Sequence, residues 1–294
     1  MSERLHGRAL GAYLGLAVGD ALGAPVEFMT AGEIRARHGR LDRMVGGGWL
    51  KLEPGQVTDD TQMAMALGEA ILAGPDWDLV RVAEAFVAWM RSKPVDIGNT
   101  CRRGIRRYLT DGSLAGPPHE GDAGNGAAMR NLPVALSTLA SDAAFIARSL
   151  DQAHFTHHHP LSDAATLAFG LMTRALLRGQ GMAACEAIAH GLVATHPVLR
   201  FERPPSRSSG YIVDTVRTVL HDFFREASFE HCLVAVVNRG EDADTNAALA
   251  GMLAGARGGL RALPERWLAR LDAGVHGAIT RQVDELLRWG EVPS

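Results

Sequence analysis

The sequence predicts a single all-α domain. Three observations carry this. Apolar residues recur at three- and four-residue spacings from end to end. Strand-like alternation is nearly absent. No low-complexity linker divides the chain. A length of 294 residues allows one large domain or two small ones, and without a linker the reading is one domain over 1–294. With 47% hydrophobic and 21% charged residues, the chain has the composition of a soluble globular protein with a large core. A net charge of −3 gives no reason to expect a nucleic-acid partner. Cys101, Cys185 and Cys232 are scattered and odd in number, which argues for a reducing cytoplasm and against a disulfide framework. The N-terminus lacks a signal-peptide pattern. No stretch of about 20 uncharged apolar residues exists, so no membrane span is expected.

In chain order, residues 4–23 read as a helix with Leu10, Leu14, Ala17 and Ala21 near helical spacing. Gly11, Gly15 and Gly19 recur every fourth residue, as small residues that let another helix pack closely. Pro25 stops this helix, and Glu27 lies just past its end, where a lone Glu is usually solvated. Residues 31–38 form a short helix. Gly46–Gly48 and Glu53-Pro54-Gly55 form a long loop. It is not a phosphate loop, because the Gly-Lys-Ser/Thr ending and a preceding strand are missing. From Asp60 to Leu72, Met63, Ala66, Leu67, Ala70 and Ile71 make an apolar stripe. Thr58 is the expected N-cap, with Asp59 and Asp60 in a first turn whose dipole favours their charge. Asp78 caps the next helix, whose Val82, Phe86 and Trp89 face inward. Asp96-Ile97-Gly98-Asn99-Thr100 is a polar turn opening a helix through Leu109. Residues 111–126 read as a loop, and Gly124 to Arg130 as the start of another helix. Helices follow at 143–153, 162–177, 182–194, 212–225, 229–237, 245–256, 265–271 and 277–289, with Ser141-Asp142 and Ser162-Asp163 resembling N-terminal caps.

Two of these helix starts are near-copies 184 positions apart: Thr58-Asp59-Asp60-Thr61 and Asp242-Ala243-Asp244-Thr245. Each alone reads as an ordinary cap. Together they offer carboxylates and hydroxyls, the oxygen-only donor set of hard cations such as Mg²⁺, Mn²⁺ or Ca²⁺. Four carboxylates brought together without a cation would repel, and some would stay protonated. Thr156-His157-His158-His159-Pro160 cannot aim three imidazoles one way, so it reads as a loop with one useful His. No Gly-x-Ser-x-Gly, His-Glu-x-x-His or Cys-x-x-Cys pattern supports a serine hydrolase, zincin or thioredoxin-like reading.

The blocks Gly19–Glu27, Thr58–Thr61, Asp96–Thr100, Gly124–Arg130, Thr156-His157, Ser209-Gly210-Tyr211 and Asp242–Asn246 follow one another in a family's order. On them the chain resembles the ADP-ribosylglycohydrolases, and most resembles the bacterial dinitrogenase-reductase-activating branch. The resemblance implies a two-metal centre, Mn²⁺ or Mg²⁺, in a cleft of an all-α domain. Its ligands would be Thr58, Asp59, Asp60, Asp242, Asp244 and Thr245, with Asp244 bridging both ions. Asp96 would be the acid/base group, although it also reads as an N-cap of the helix after Gly98. Glu27 would orient water or gate the cleft. Asn99, Gly126, His157 and Tyr211 would line an ADP-ribose pocket. Gly124-Asn125-Gly126 would present backbone N–H groups to the diphosphate. Tyr211 would stack on adenine, or else be a core residue. One departure is Glu241, where many members carry Gly before the first Asp. It adds charge there and is expected to exclude an easy positive φ.

The implied reaction is removal of ADP-ribose from a modified arginine on a protein, in this branch the nitrogenase iron protein. A PII signalling protein that holds the enzyme reversibly at the membrane is implied as a further partner of an otherwise cytoplasmic enzyme. Another linkage (ADP-ribosyl-serine or a small ADP-ribose ester) and a non-enzymatic, crystallin-like role are the alternatives. Retention of all six ligand positions argues against the last.

Overall fold

The helical spacings are realised as fourteen α-helices among residues 2–290, the part described by the computed structural model. Residue 1 and residues 291–294, the ends of the domain expected over 1–294, lie outside the described residues. The helices are α1 (Glu3–Gly23), α2 (Ala31–His38), α3 (Asp59–Leu72), α4 (Leu79–Arg91), α5 (Asn99–Asp111), α6 (Leu132–Ser137) and α7 (Asp142–His154). They continue with α8 (Pro160–Leu177), α9 (Gly181–Thr195), α10 (Ile212–Arg225), α11 (Phe229–Val237), α12 (Ala243–Gly258), α13 (Glu265–Leu268) and α14 (Ala273–Trp289). Among the described residues there is no sheet, only three isolated bridges.

The glycines of α1 organise this architecture. An added Cβ at Gly11, Gly15, Gly19 or Gly23 would meet the carbonyl oxygen of Gly255, Gly251, Ala247 or Ala243 at 2.5, 2.3, 2.0 or 2.4 Å. The pairing descends by four on α12 as it rises by four on α1, so the two helices run antiparallel with their backbones in contact. The close helix packing expected of these glycines is thus what forms, and the partner is the second acidic helix. The first and last quarters of the chain are clasped together. The end of α1, with Asp20 and Gly23, meets the start of α12, with Asp244 and Thr245.

The stretch Glu3–Val26 is long and apolar enough to cross a membrane by length and hydropathy, but its apolar window lies wholly inside the protein. It is a core helix. The core continues outward through α3, α8, α11 and α14, all carrying buried apolar faces. Gln282 of α14 stitches three helices together. It accepts from Tyr13 Oη at 3.0 Å and donates to the Met65 carbonyl at 2.9 Å.

Several boundaries differ from expectation for local reasons. Helix α1 ends at Gly23, and Ala24–Val26 continue as one 3₁₀ turn before the chain leaves. Gly124–Arg130 is a turn rather than a helix start, and α6 begins only at Leu132, with Pro133 in its first turn. Here Asn125 is drawn away by tertiary bonds, its N–H to the Gly210 carbonyl and its side-chain amide to Asp242 and Thr215. Ser162 does not cap α8. That helix starts at Pro160, with the His159 ring accepting from the Leu161 N–H, while Ser162 Oγ donates to the Gly124 carbonyl. Helix α13 stops at Leu268, and α14 starts at Ala273 because Asp272 accepts from the Val275 N–H. Ser141 and Asp78 cap as expected.

Candidate active site

The clasp of α1 and α12 places two helix starts and the loop after α1 on one cleft of about 810 Å³. Asp20 makes this possible. It is fully buried and accepts from the N–H groups of Thr58 and Thr61 at 3.0 and 3.1 Å. It also accepts from their hydroxyls at 3.0 and 2.6 Å. A side chain of α1 thus caps α3 from outside. Thr58 sits at the N-cap position, but its hydroxyl turns to Asp20 and Asp60 instead of capping. Burial pushes the Asp20 carboxyl up to about 6, against the four hydrogen bonds that lower it.

The two acidic motifs meet directly. Thr245 Oγ1 donates to Asp60 Oδ2 at 3.2 Å. Asp59 Oδ2 accepts from the Gly98 N–H at 3.1 Å, and Asp242 Oδ2 from Asn125 Nδ2 at 2.6 Å. Glu27 is not solvated. It is buried, with Trp49 Nε1 donating to its Oε2 at 2.7 Å. Glu27, Asp242 and Asp244 each offer an oxygen atom lying within 4.8 Å of the others. Burial, then neighbouring carboxylates, push these groups upward: Glu27 to about 8, Asp59 to about 7, Asp242 to about 6, and Asp60 and Asp244 well above the usual range.

Such an arrangement suits a divalent cation. The donors are hard oxygens, and they repel one another as anions. Asp60 Oδ1 is buried without any hydrogen-bond partner, and an orphaned carboxylate oxygen aimed into an acidic group is what a bound ion would satisfy. Asp59, Asp60, Asp242, Asp244 and Thr245 all line the cleft, and so does Glu27. Thr58 is buried behind them and is not part of the lining.

The facing walls come from elsewhere in the chain. Asp96 is half-buried on the α4–α5 turn, with Oδ1 accepting from the Ile97 N–H at 2.7 Å. Burial raises its carboxyl. It is not an N-cap, because Gly98 holds that position for α5. Asn99, Gly124, Asn125, Gly126 and His157 also line the cleft. Of the three adjacent histidines only His157 reaches it. His158 bonds the Gly116 carbonyl and stacks on His154, and His159 caps α8. Tyr211 is 45% exposed at the start of α10, so it is not a core residue. Its backbone bridges to Gly124, while its ring lies outside the cleft lining.

Glu241 corrects an expectation. It adopts φ 54 despite its side chain. Its N–H donates to the Met29 carbonyl and its carbonyl accepts from the Phe28 N–H, both at 2.7 Å, while its carboxylate accepts from the Ser208 N–H at 2.7 Å. Three short bonds over-determine a conformation that a non-glycine residue ordinarily avoids. Asp20 as a strut and Trp49 as the donor to Glu27 were not evident from the sequence. Neither was Phe28, which stands with Trp49 on the rim, their ring centroids 5.4 Å apart. Asp20 carried one signal, a single carboxylate within the small-residue face of α1.

The family described as ADP-ribosylglycohydrolase matches residues 1–292. The chain is 55% identical to an ADP-ribosyl-[dinitrogen reductase] glycohydrolase of Rhodospirillum rubrum, over 96% of each chain. It is 32% identical to ADP-ribosylarginine hydrolase Tri1 of Serratia proteamaculans, over 92% of this chain and 76% of that one. A solved structure titled ADP-ribosylglycohydrolase-related protein complex superposes with a TM-score of 0.87 at 33% identity, covering 98% of this chain and 100% of the other.

Proposed function

This chain belongs to the ADP-ribosylglycohydrolase family, and on that premise we propose that it hydrolyses the N-glycosidic bond joining ADP-ribose to an arginine of a modified protein. The observation that carries the reading is the convergence of Glu27, Asp59, Asp60, Asp242 and Asp244 on one cleft, with Asp96 also on its lining. A purely structural, crystallin-like role would leave those buried carboxylates without a reason.

The bond to be broken joins C1 of the ribose to a guanidine nitrogen. Its departure leaves positive charge on C1 and the ring oxygen, as in other glycoside hydrolysis. Two divalent cations, Mn²⁺ or Mg²⁺, held by Asp59, Asp60, Asp242, Asp244, Thr245 and Thr58, would fix ribose hydroxyls and lower the pKa of water. Asp96 has the raised pKa of a group that gives a proton to the departing nitrogen and recovers one from the attacking water. Glu27, held by Trp49, orients that water. Asn99 and the Gly124–Gly126 backbone border the rest of the substrate, and Tyr211 stands outside them, where an adenine could reach it.

The likeness to the Rhodospirillum rubrum enzyme supports the nitrogenase iron protein as substrate and a role in nitrogen fixation. Three buried, unpaired cysteines fit the reducing cytoplasm. The PII partner and membrane association implied by the resemblance gain no support from the site. The test is release of free ADP-ribose from an arginine-ADP-ribosylated protein, with added Mn²⁺ and with excess chelator. No release, or release undiminished by the chelator, overturns the proposal.

A further inference from the structure

Arg130 is wholly buried below the cleft and gives its hydrogen bonds to neutral acceptors. Nε donates to Gln152 Oε1 at 2.7 Å. Nη2 donates to the Gln152 carbonyl at 2.8 Å and to Thr156 Oγ1 at 2.7 Å. Nη1 reaches Cys101 Sγ at 3.5 Å, and the guanidinium lies over the Phe86 ring. A guanidinium only donates, so Thr156 Oγ1 is the acceptor in that pair. The same hydroxyl lies 2.8 Å from His157 Nδ1.

Two neutral arrangements are open to that contact. If the threonine hydroxyl donates to Nδ1, its proton has a partner and the imidazole proton sits on Nε2, on the edge that lines the cleft, where water or a bound group can accept it. If Nδ1–H donates to the hydroxyl, the threonine proton is left buried and unpaired. Leaving such a donor unsatisfied disfavours the second arrangement by about tenfold or more. A doubly protonated ring would set a second cation beside Arg130 in a buried place, and burial with Arg130 and Arg103 opposes it.

The other ring nitrogen, Nε2, has no partner among the described residues, although His157 is 3% exposed. It faces the Gly124–Gly126 turn. A Cβ at Gly124 would lie 3.1 Å from Nε2, and one at Gly126 3.0 Å from it and 2.7 Å from Cε1. The two glycines therefore leave the imidazole edge uncovered, which gives a reason for the Gly-Asn-Gly pattern separate from any phosphate contact.

We infer that Arg130 and Thr156 are positioning residues that fix His157 as a neutral imidazole with its proton on Nε2, presented to the cleft as a hydrogen-bond donor. Resting on the proposed function, the group it serves is an acceptor oxygen of ADP-ribose, on the diphosphate or a ribose. His157 then binds substrate and does not act as a base. Arg130 acts only through Thr156.

The test is ¹⁵N NMR of the histidine rings in Mg²⁺-loaded protein at neutral pH, with Thr156→Val and Thr156→Ser beside the parent. The parent should show His157 Nδ1 unprotonated and Nε2 protonated. Thr156→Val should mix the tautomers and raise KM for ADP-ribosylated protein by about five- to tenfold, with a smaller change in kcat. Thr156→Ser, which keeps the hydroxyl, should restore both. A parent His157 protonated on Nδ1, or on both nitrogens, overturns the inference whether or not the variants fold. So does a Val variant with parental tautomer and KM. If the parent releases no ADP-ribose, the functional reading falls while the tautomer result still decides this one.

Discussion

Gly23→Ala should separate packing from chemistry. The added methyl would lie 2.4 Å from the Ala243 carbonyl oxygen and 2.6 Å from Asp244 Cα, where ordinary contact begins near 3.4 Å. Both neighbours are helix backbone, so α12 must retreat by about 1 Å at the turn that carries Asp244 and Thr245. Overpacking of this kind costs about 1–3 kcal/mol, or roughly 2–6 °C in Tm for a domain of this size. A 1 Å misplacement of a reacting group costs on the order of 100-fold in rate. Gly11→Ala is the control. Its methyl would meet the Gly255 carbonyl oxygen at 2.5 Å, but roughly 18 Å away along α1. Both variants should lose similar stability, and only Gly23→Ala should lose turnover and Mn²⁺ affinity. Melting curves and ADP-ribose release at saturating metal decide it. Full turnover in Gly23→Ala, or equal losses in the two, would refute the claim that the clasp sets the proposed metal ligands.

Asp96→Asn keeps the acceptor for the Ile97 N–H, so Tm and metal affinity should hold while turnover falls about 10²–10⁴-fold; unchanged turnover would move proton transfer to Glu27. Asp20→Asn puts an amide against four donors, and should cost about 1–3 kcal/mol and weaken metal binding as the Asp59–Asp60 turn shifts; parental Tm and titration would remove Asp20 from that role. For the metal-free protein the pH dependence has a definite sign. Glu27 moves from 4.5 to about 8 and Asp59 from 3.8 to about 7 on folding, so between those limits the unfolded chain holds fewer protons and rising pH favours unfolding. Tm without metal should fall from about pH 5 to about pH 8, and the gain on adding Mn²⁺ should grow over that range; a flat metal-free profile would contradict it.

What was legible in the sequence was local or repeated. Apolar stripes marked the helices, and the spacing of Gly11, Gly15 and Gly19 announced a close partner helix. Which helix it was could not be read, since the pairing with α12 spans most of the chain. Gly124–Arg130 looked helical because Ala127, Ala128, Met129 and Arg130 are good helix formers. Tertiary bonds from Asn125 and the burial of Arg130 overrode that preference. The positive φ of Glu241 was hidden for a similar reason, because its cost is met by bonds to Met29, Phe28 and Ser208. One carboxylate was misjudged by position and another overlooked. Glu27 lies just past a proline and looked like a surface residue until the fold closed over it, and Asp20, a lone carboxylate in an apolar helix, was given no role.

The pairing of α1 with α12 also sets a timetable. Helix α1 leaves the ribosome well before α12, with more than 200 residues between them. At about 5–20 residues per second, the interval between them is roughly 10–50 s. During that time a segment hydrophobic enough to pass for a membrane anchor has no mate. The nascent chain must keep it from lipid, from neighbouring copies and from the targeting machinery until residue 258 has emerged. The same closure that finally hides it assembles the acidic cluster, so no truncated product can carry a finished site.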